Sequence, residues 1–269
     1  MQKWRLLLSC CACAIAVALV APVRGDEPEF HHKSLTHWLK VYAKTKPGSD
    51  AETESRGAIQ AIGTNAVPQL VVMVVSGDIN RQQLAANGFV ILGALGASAI
   101  PALTCLLAGS NTVVTVFAAN SLGTIGLPAL PALLDALTNQ NYNTAALAAL
   151  ALTDLGTNAA PAIPIFLEDL KSNNRFIRER AADALGNLRL QPDLVVPALT
   201  NLLWDRSLTA RCLALGSLGR FQAAARPALP LITLLLRDPE ADVRVSATNA
   251  LSEIAPETVK GPAAEPVAN

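Results

Sequence analysis

Few residues in this chain are equipped for chemistry, and their spacing narrows what they can do. The three histidines, His31, His32 and His37, all lie near the start of a 269-residue sequence. His32 and His37 are five apart, not the four that place two imidazoles on one helix face for a metal ion. Glu29 alone stands nearby to complete a ligand set. They are expected as exposed side chains, and no metal-binding or cofactor-binding residue is assigned. No histidine follows residue 37, so a histidine-based triad has no parts in the rest of the chain. Glu168 and Asp169 are adjacent and point different ways on a helix, which makes them solvated surface rather than an acid–base pair. The remaining chemistry is cationic. Arg178, Arg211 and Arg244 recur every 33 residues, with Asp205 and Asp238 six residues ahead of the last two. Arginines in line along a stack can hold an anionic ligand or serve the structure itself. No catalytic residue is assigned, and the chain is expected not to be an enzyme.

The elements that position these charges follow the same period. Pro68, Pro101, Pro131, Pro164, Pro197 and Pro230 are spaced by 33, 30, 33, 33 and 33. Such regularity is the mark of a stacked helical repeat. Eight residues after each proline stands a small or turn-forming residue: Ser76, Gly109, Asn139, Ser172, Asp205 and Asp238. These mark the loop between two helices. Gly63, Gly123, Gly156, Gly186 and Gly219 are expected to close each unit as C-terminal caps. Apolar side chains at Ile163, Phe166, Leu167 and Leu170 fall on one helix face, so 159–171 and 175–185 are predicted as one helix pair. The same frame predicts pairs over 65–76/79–93, 98–109/112–123, 128–138/142–155, 192–204/207–219 and 224–237/240–254. A proline near the start of each first helix is tolerated, because the first turn has no backbone hydrogen bond to lose.

Composition agrees. Hydrophobic residues make up 51% and aromatics only 4%, so the core must be built from Ala, Leu, Val and Ile in closely packed helices. The expected fold class is all-α, an α-solenoid or superhelix of antiparallel helix pairs. Formal net charge is zero, which argues against nucleic acid as a partner. Lys3 and Arg5 precede an uncharged run from Leu6 to Ala21, and Val23 and Gly25 suit a cut before Asp26. Residues 1–25 are therefore predicted to be a secretory signal peptide. A second cut after Ala21, an uncleaved anchor, and a lipoprotein site at Cys10 are the alternatives. Removal of the signal leaves Cys105 and Cys212, more than three repeats apart. Repeats stack at roughly 10 Å and a disulfide needs Cα atoms within about 7 Å, so two free, mostly buried thiols are expected. Residues 26–62, with His31, His32, His37, Trp38 and Tyr42, are read as N-terminal capping helices that cover the open end of the core. The repeats would run over 63–255, and the proline-containing tail 256–269 is expected to be disordered.

Pro197, Asp205, Arg211 and Leu218-Gly219, with Pro230, Asp238, Arg244 and Ala250-Leu251, resemble the HEAT-repeat superfamily, most closely its bacterial variant named after phycobilisome-lyase proteins. Arg178 with Ala184-Leu185-Gly186 is a third copy, with Ser172 in place of Asp. The resemblance covers about residues 50–255. It implies a ladder between neighbouring repeats formed by Arg178, Asp205, Arg211, Asp238 and Arg244. Gln82, Thr115 and Ala145 stand where arginine would be, so the ladder should break there and packing alone should hold those units. The related deoxyhypusine hydroxylases carry His-Glu pairs that this chain lacks. The phycobilin lyases of the same repeat type are cytoplasmic, which conflicts with a signal segment.

Between Arg81 and Asp135 there is no charged residue. Residues 88–109 would pass as a membrane span on apolarity alone, but Gly96 to Pro101 falls at the repeat's turn, and two short helices cannot each cross a bilayer of about 30 Å. No membrane span is expected in the mature chain. This region is either an apolar surface for a partner or for self-association through residues 82–134, or a neutral wet surface of Ala, Ser, Thr and Asn. The functional expectation is an exported, periplasmic or extracellular scaffold that binds an unknown protein partner on a concave face lined by the second helices, with Phe117 and Tyr142 as the candidate contact aromatics. The alternatives are a lyase-like or accessory protein holding a tetrapyrrole or similar apolar ligand, and a structural part of an envelope assembly.

Overall fold

The structure is a computed structural model that describes residues 27–259. The predicted signal segment 1–25 lies outside the described residues, as does the tail beyond 259. Chain contacts divide the protein into two compact units, one running to Leu155 and one beginning at Gly156.

The first unit opens with a hairpin that the helical reading missed. Strands β1 (Glu29–Phe30) and β2 (Lys33–Ser34) pair antiparallel. The turn between them is His31-His32, both with positive φ of 51° and 60°, a geometry usually left to Asn or Gly. The Trp38 indole donates to the Phe30 carbonyl at 3.1 Å and locks the hairpin to α1 (Leu35–Lys44). Then follow α2 (Asp50–Ile62), α3 (Val67–Val75), α4 (Ile79–Leu92), α5 (Ile100–Leu107), α6 (Thr112–Ile125), α7 (Leu130–Leu137) and α8 (Tyr142–Asp154). The second unit holds α9 (Ile163–Asp169), α10 (Arg175–Leu188), α11 (Pro192–Leu202), α12 (Leu208–Arg220), α13 (Leu229–Leu235), α14 (Ala241–Ile254) and a final turn α15 (Pro256–Val259). The tail is thus helical at its first residues, with Arg226 paired to Glu257 at 2.5 Å, where disorder was expected from residue 256.

The second helices α4, α6, α8, α10 and α12 start on a side-chain cap: Asp78, Asn111, Asn141, Asn174 and Ser207 each accept from a backbone N–H of the first turn, whereas α14 follows Glu240 without one. Such a cap is worth about 1 kcal/mol. The first helices α3, α5, α7, α9 and α13 carry a proline as their second residue, whereas Pro197 sits inside α11, which starts at Pro192. Short 3-10 stretches, such as Gly93–Ala99 and Gln222–Ala228, lead into the first helices.

The glycines divide into two roles. Gly63, Gly93, Gly126 and Gly156 have positive φ and end or follow second helices, as expected at 63 and 156. Gly123, Gly186 and Gly219 lie inside α6, α10 and α12 and are not caps. They give room to the next helix. A Cβ at Gly123 would come within 2.9 Å of Asp154, one at Gly186 would overlap Ser217, and one at Gly219 would overlap Glu253. The Ser217 hydroxyl, buried at this approach, donates to the Ala182 carbonyl at 2.8 Å. Alanine does related work. Ala85, Ala118 and Ala148 in the first unit and Ala181, Ala214 and Ala247 in the second occupy one helical position, spaced by 33 or 30, and none is exposed. Within each unit such buried small residues let helices pack closely without large side chains.

Two helical runs, 50–75 and 79–107, are long and apolar enough to cross a membrane by length and composition. Each turns at a positive-φ glycine, Gly63 or Gly93, and enters a 3-10 segment. Their large side chains, Leu70, Phe89, Leu92, Leu103 and Leu107, are buried in the helix stack. Cys105 and Cys212 are half-buried thiols, more open than the sequence suggested.

Candidate functional site

The charged centre of the second unit is a chain of ion pairs. The Arg178 guanidinium grips Asp205 with two bonds, Nε to Oδ2 at 2.6 Å and Nη2 to Oδ1 at 2.8 Å, and its Nη1 donates to the Ser172 carbonyl at 2.7 Å. Asp205 also accepts from the Ser207 N–H at 2.8 Å. The two side chains are only 15% and 9% exposed. The guanidinium's hydrogen bonds hold the Asp205 carboxyl below the usual carboxylate range, and the carboxylate in turn raises Arg178 above the ordinary arginine value. The next rung is looser. Arg211 Nη2 reaches Asp238 at 3.2 Å and Nη1 donates to the Asp205 carbonyl at 3.0 Å. Its buried Nε has no hydrogen-bond partner among the described residues. Among the described residues Arg244 meets no aspartate side chain; it donates to the Asp238 and Pro239 carbonyls. Arg180, beside this row, pairs with Asp169 at 2.6 Å, a partnership with no counterpart in the repeat motif.

At the equivalent places of the first unit, packing does not act alone. Buried Gln82 donates from Nε2 to the Val74 carbonyl at 3.0 Å, so an amide replaces the guanidinium's bond to the end of the first helix. The Thr115 hydroxyl donates within its own helix, to the Thr112 carbonyl. Ala145 offers no polar group, but its neighbour Thr144 donates to the Leu107 carbonyl in the preceding repeat at 3.4 Å. The expectation of purely apolar contacts is corrected on this point: buried carbonyls still need donors, and neutral side chains supply them.

The uncharged stretch presents more than a neutral wet surface. Val90, Leu95, Val113 and Leu127 are exposed within it, and Tyr142 is exposed just beyond it, at the start of α8. Phe117, on α6, is half-buried. α6 carries no charge, and α8 carries only Asp154, whose carboxyl is pushed up by burial. Among the described residues no cluster of three His, Cys, Asp or Glu side chains has metal-binding geometry.

Models of HEAT repeats match residues 100–186 and 130–211, and a further HEAT-repeat model matches 228–257. No curated protein matches the chain in sequence. Among solved structures, the complex of CpcE and CpcF of phycocyanin lyase from Nostoc sp. PCC7120 is similar at 23% identity and a TM-score of 0.52, over 58% of this chain and 99% of that one. A designed armadillo repeat protein in complex with the peptide (KR)4 is similar at 18% identity and a TM-score of 0.47, over 70% and 99%. Kap121p bound to Nup53p is similar at 15% identity and a TM-score of 0.47, over 90% of this chain and 28% of that one. At such identities the likeness is one of fold. The proline phase, the paired helices and the matched segments agree on one conclusion: this chain is an all-α solenoid of HEAT repeats, a fold typical of protein-interaction scaffolds.

Proposed function

We propose that this chain is an exported, non-catalytic scaffold that binds a protein partner through the uncharged second-helix surface of its first unit. The observation that carries the reading is the group of exposed apolar side chains, Val113 and Tyr142 foremost, on helices almost devoid of charge. Apolar area left in water at neutral, closely spaced positions favours association. The test is affinity capture with the tagged chain, beginning at residue 26, from its own envelope fraction. A partner that is lost with Val113→Asp/Tyr142→Asp, at unchanged melting temperature, supports the surface. Equal recovery with that variant rejects it. Self-association abolished by the same variant would favour the envelope-assembly reading instead.

Export is supported by Lys3, Arg5 and the uncharged run that follows them. A mature N-terminus at Asp26 or Pro22 is the expected result of terminal sequencing, and an intact Met1 refutes it. The burial of Phe89, Leu103 and Leu107 supports a mature chain without a membrane span. Alkaline carbonate should then release the protein from membranes, and retention would overturn this. The fold shared with CpcE–CpcF motivates a second reading, an apolar or tetrapyrrole ligand, and a visible absorbance band in the purified protein would favour it over the scaffold.

A further inference from the structure

In the second unit three loops join first helices to second helices: 170–174, 203–207 and 236–240. The ladder ties them side by side. Arg178 holds the Ser172 carbonyl of the first loop and Asp205 of the second, and Arg211 holds the Asp205 carbonyl and Asp238 of the third. The aspartates of the second and third loops are therefore turned inward and neutralised by buried guanidiniums. What remains outward is different in character. Arg175, Arg206 and Arg237 are exposed, and each sits within two residues of an exposed apolar side chain: Phe176, Trp204 and Leu236. Trp204 is 61% exposed, and the Arg175 guanidinium lies over the Phe176 ring at 4.5 Å. Lys171, Trp204 and Arg237 share one repeat position, 33 residues apart. The acids on this edge are Glu168, paired with Lys171 at 2.8 Å, Glu179, which accepts from the Ser207 hydroxyl of the second loop at 2.6 Å, and Glu240 and Asp242 beside the third loop. Around Trp204 the two exposed cations Arg175 and Arg206 outnumber the single carboxylate of Glu179, which leaves a net positive charge there.

We propose that this loop edge docks on an anionic lipid surface, with Trp204 entering the headgroup region and the flanking arginines meeting lipid phosphates. Tryptophan favours the membrane–water interface because its ring is apolar and its N–H is polar. Cations beside it are drawn to the surface potential of acidic lipids. Trp204 and Leu236 project from loops and Phe176 from the first turn of α10, in repeats set roughly 10 Å apart, the spacing of packed helices. A row of separate projections suits an extended planar surface better than a single acidic peptide, which needs a continuous slot. The interaction does not depend on the uncharged helices of the first unit.

The test uses the chain from residue 26 with phosphatidylcholine vesicles prepared with and without phosphatidylglycerol. Co-sedimentation with the anionic vesicles alone, weakened by salt, is expected. Trp38 is buried and Trp204 exposed, so a blue shift of tryptophan fluorescence on binding reports Trp204. Trp204→Ala should lower vesicle affinity about tenfold and remove the shift. Arg175→Ala and Arg206→Ala should each lower affinity about fivefold. All three side chains are exposed except for the Arg175–Phe176 stacking, so circular dichroism should not change. Absence of binding to anionic vesicles overturns the proposal, as does binding unaffected by Trp204→Ala and Arg206→Ala. Binding of a polyglutamate peptide without vesicle binding would assign the edge to an acidic protein segment and likewise overturn it. Val113→Asp/Tyr142→Asp should leave vesicle binding intact, which keeps this test separate from that of the partner surface.

Discussion

Arg178→Ala should destabilise the protein more than Arg211→Ala, although both arginines occupy one repeat position. Removing Arg178 deletes two bonds to Asp205, at 2.6 and 2.8 Å, and one to the Ser172 carbonyl. It leaves a 9% exposed carboxylate with the Ser207 N–H as its remaining backbone donor. Breaking a fully buried pair from one side costs about 3–5 kcal/mol; partial access to water and the retained Ser207 bond reduce this to about 2–4 kcal/mol. Arg211 loses a single, longer bond to Asp238 and one to a carbonyl, and its removal also takes away a buried Nε that makes no bond. Its cost is about 1–2 kcal/mol. The assay is denaturant unfolding of both variants beside Arg178→Ala/Asp205→Ala, which should recover part of the loss by removing the stranded charge. pH supplies an independent check. The folded state lowers the Asp205 carboxyl, so its contribution is present above the unfolded value of about 3.9 and is lost as pH falls through the folded value. The gap between the native chain and Arg178→Ala should therefore hold near neutrality and close in acid. Equal losses for the two arginines, or a gap independent of pH in acid, would refute this account of the ladder.

Other outcomes follow from the packing. Gly186→Ala should lower stability, even though alanine favours a helix interior over glycine by about 1 kcal/mol, because the new Cβ overlaps Ser217; a gain in melting temperature would contradict the close approach of α10 and α12. Ala214→Leu should cost about 1–3 kcal/mol by overfilling a site with no exposed surface, measured by chemical unfolding. Asn111→Ala should cost about 1 kcal/mol, because its side chain accepts from the N–H groups of Val113 and Val114. Gln82→Leu should also destabilise, since it strands the Val74 carbonyl, and Gln82→Glu would not restore the donor; both are read by thermal melting.

The ladder shows how far sequence reasoning reached. Period and offset singled out Arg178, Asp205, Arg211 and Asp238 as equivalent positions, and the resemblance to HEAT repeats implied that they pair between neighbouring repeats. Position did not reveal that one rung is two-pronged and the next single, nor that Arg244 meets no aspartate among the described residues. The first unit departs from the expectation of packing alone because its donors are of another type, Gln82 and Thr144, and no charge marks them. The capping side chains Asp78, Asn111, Asn141, Asn174 and Ser207 stand in the sequence at the heads of α4, α6, α8, α10 and α12. The His31-His32 turn was not, because its backbone departs from what histidine usually adopts.

The sequence by itself determined the all-α repeat. Proline phase, loop residues and apolar spacing are local signals, and each repeat states them again. Only the tertiary structure decided which small residues are caps and which are contact points. Gly123, Gly186 and Gly219 look like helix ends in one dimension, yet they lie where a neighbouring helix comes too close for a side chain. It also decided which charges face inward. Asp205 and Arg206 are adjacent in the chain, but one is drawn into the ladder and the other is left in water beside Trp204. That sorting depends on a partner 27 residues away, a distance across which no local pattern carries information.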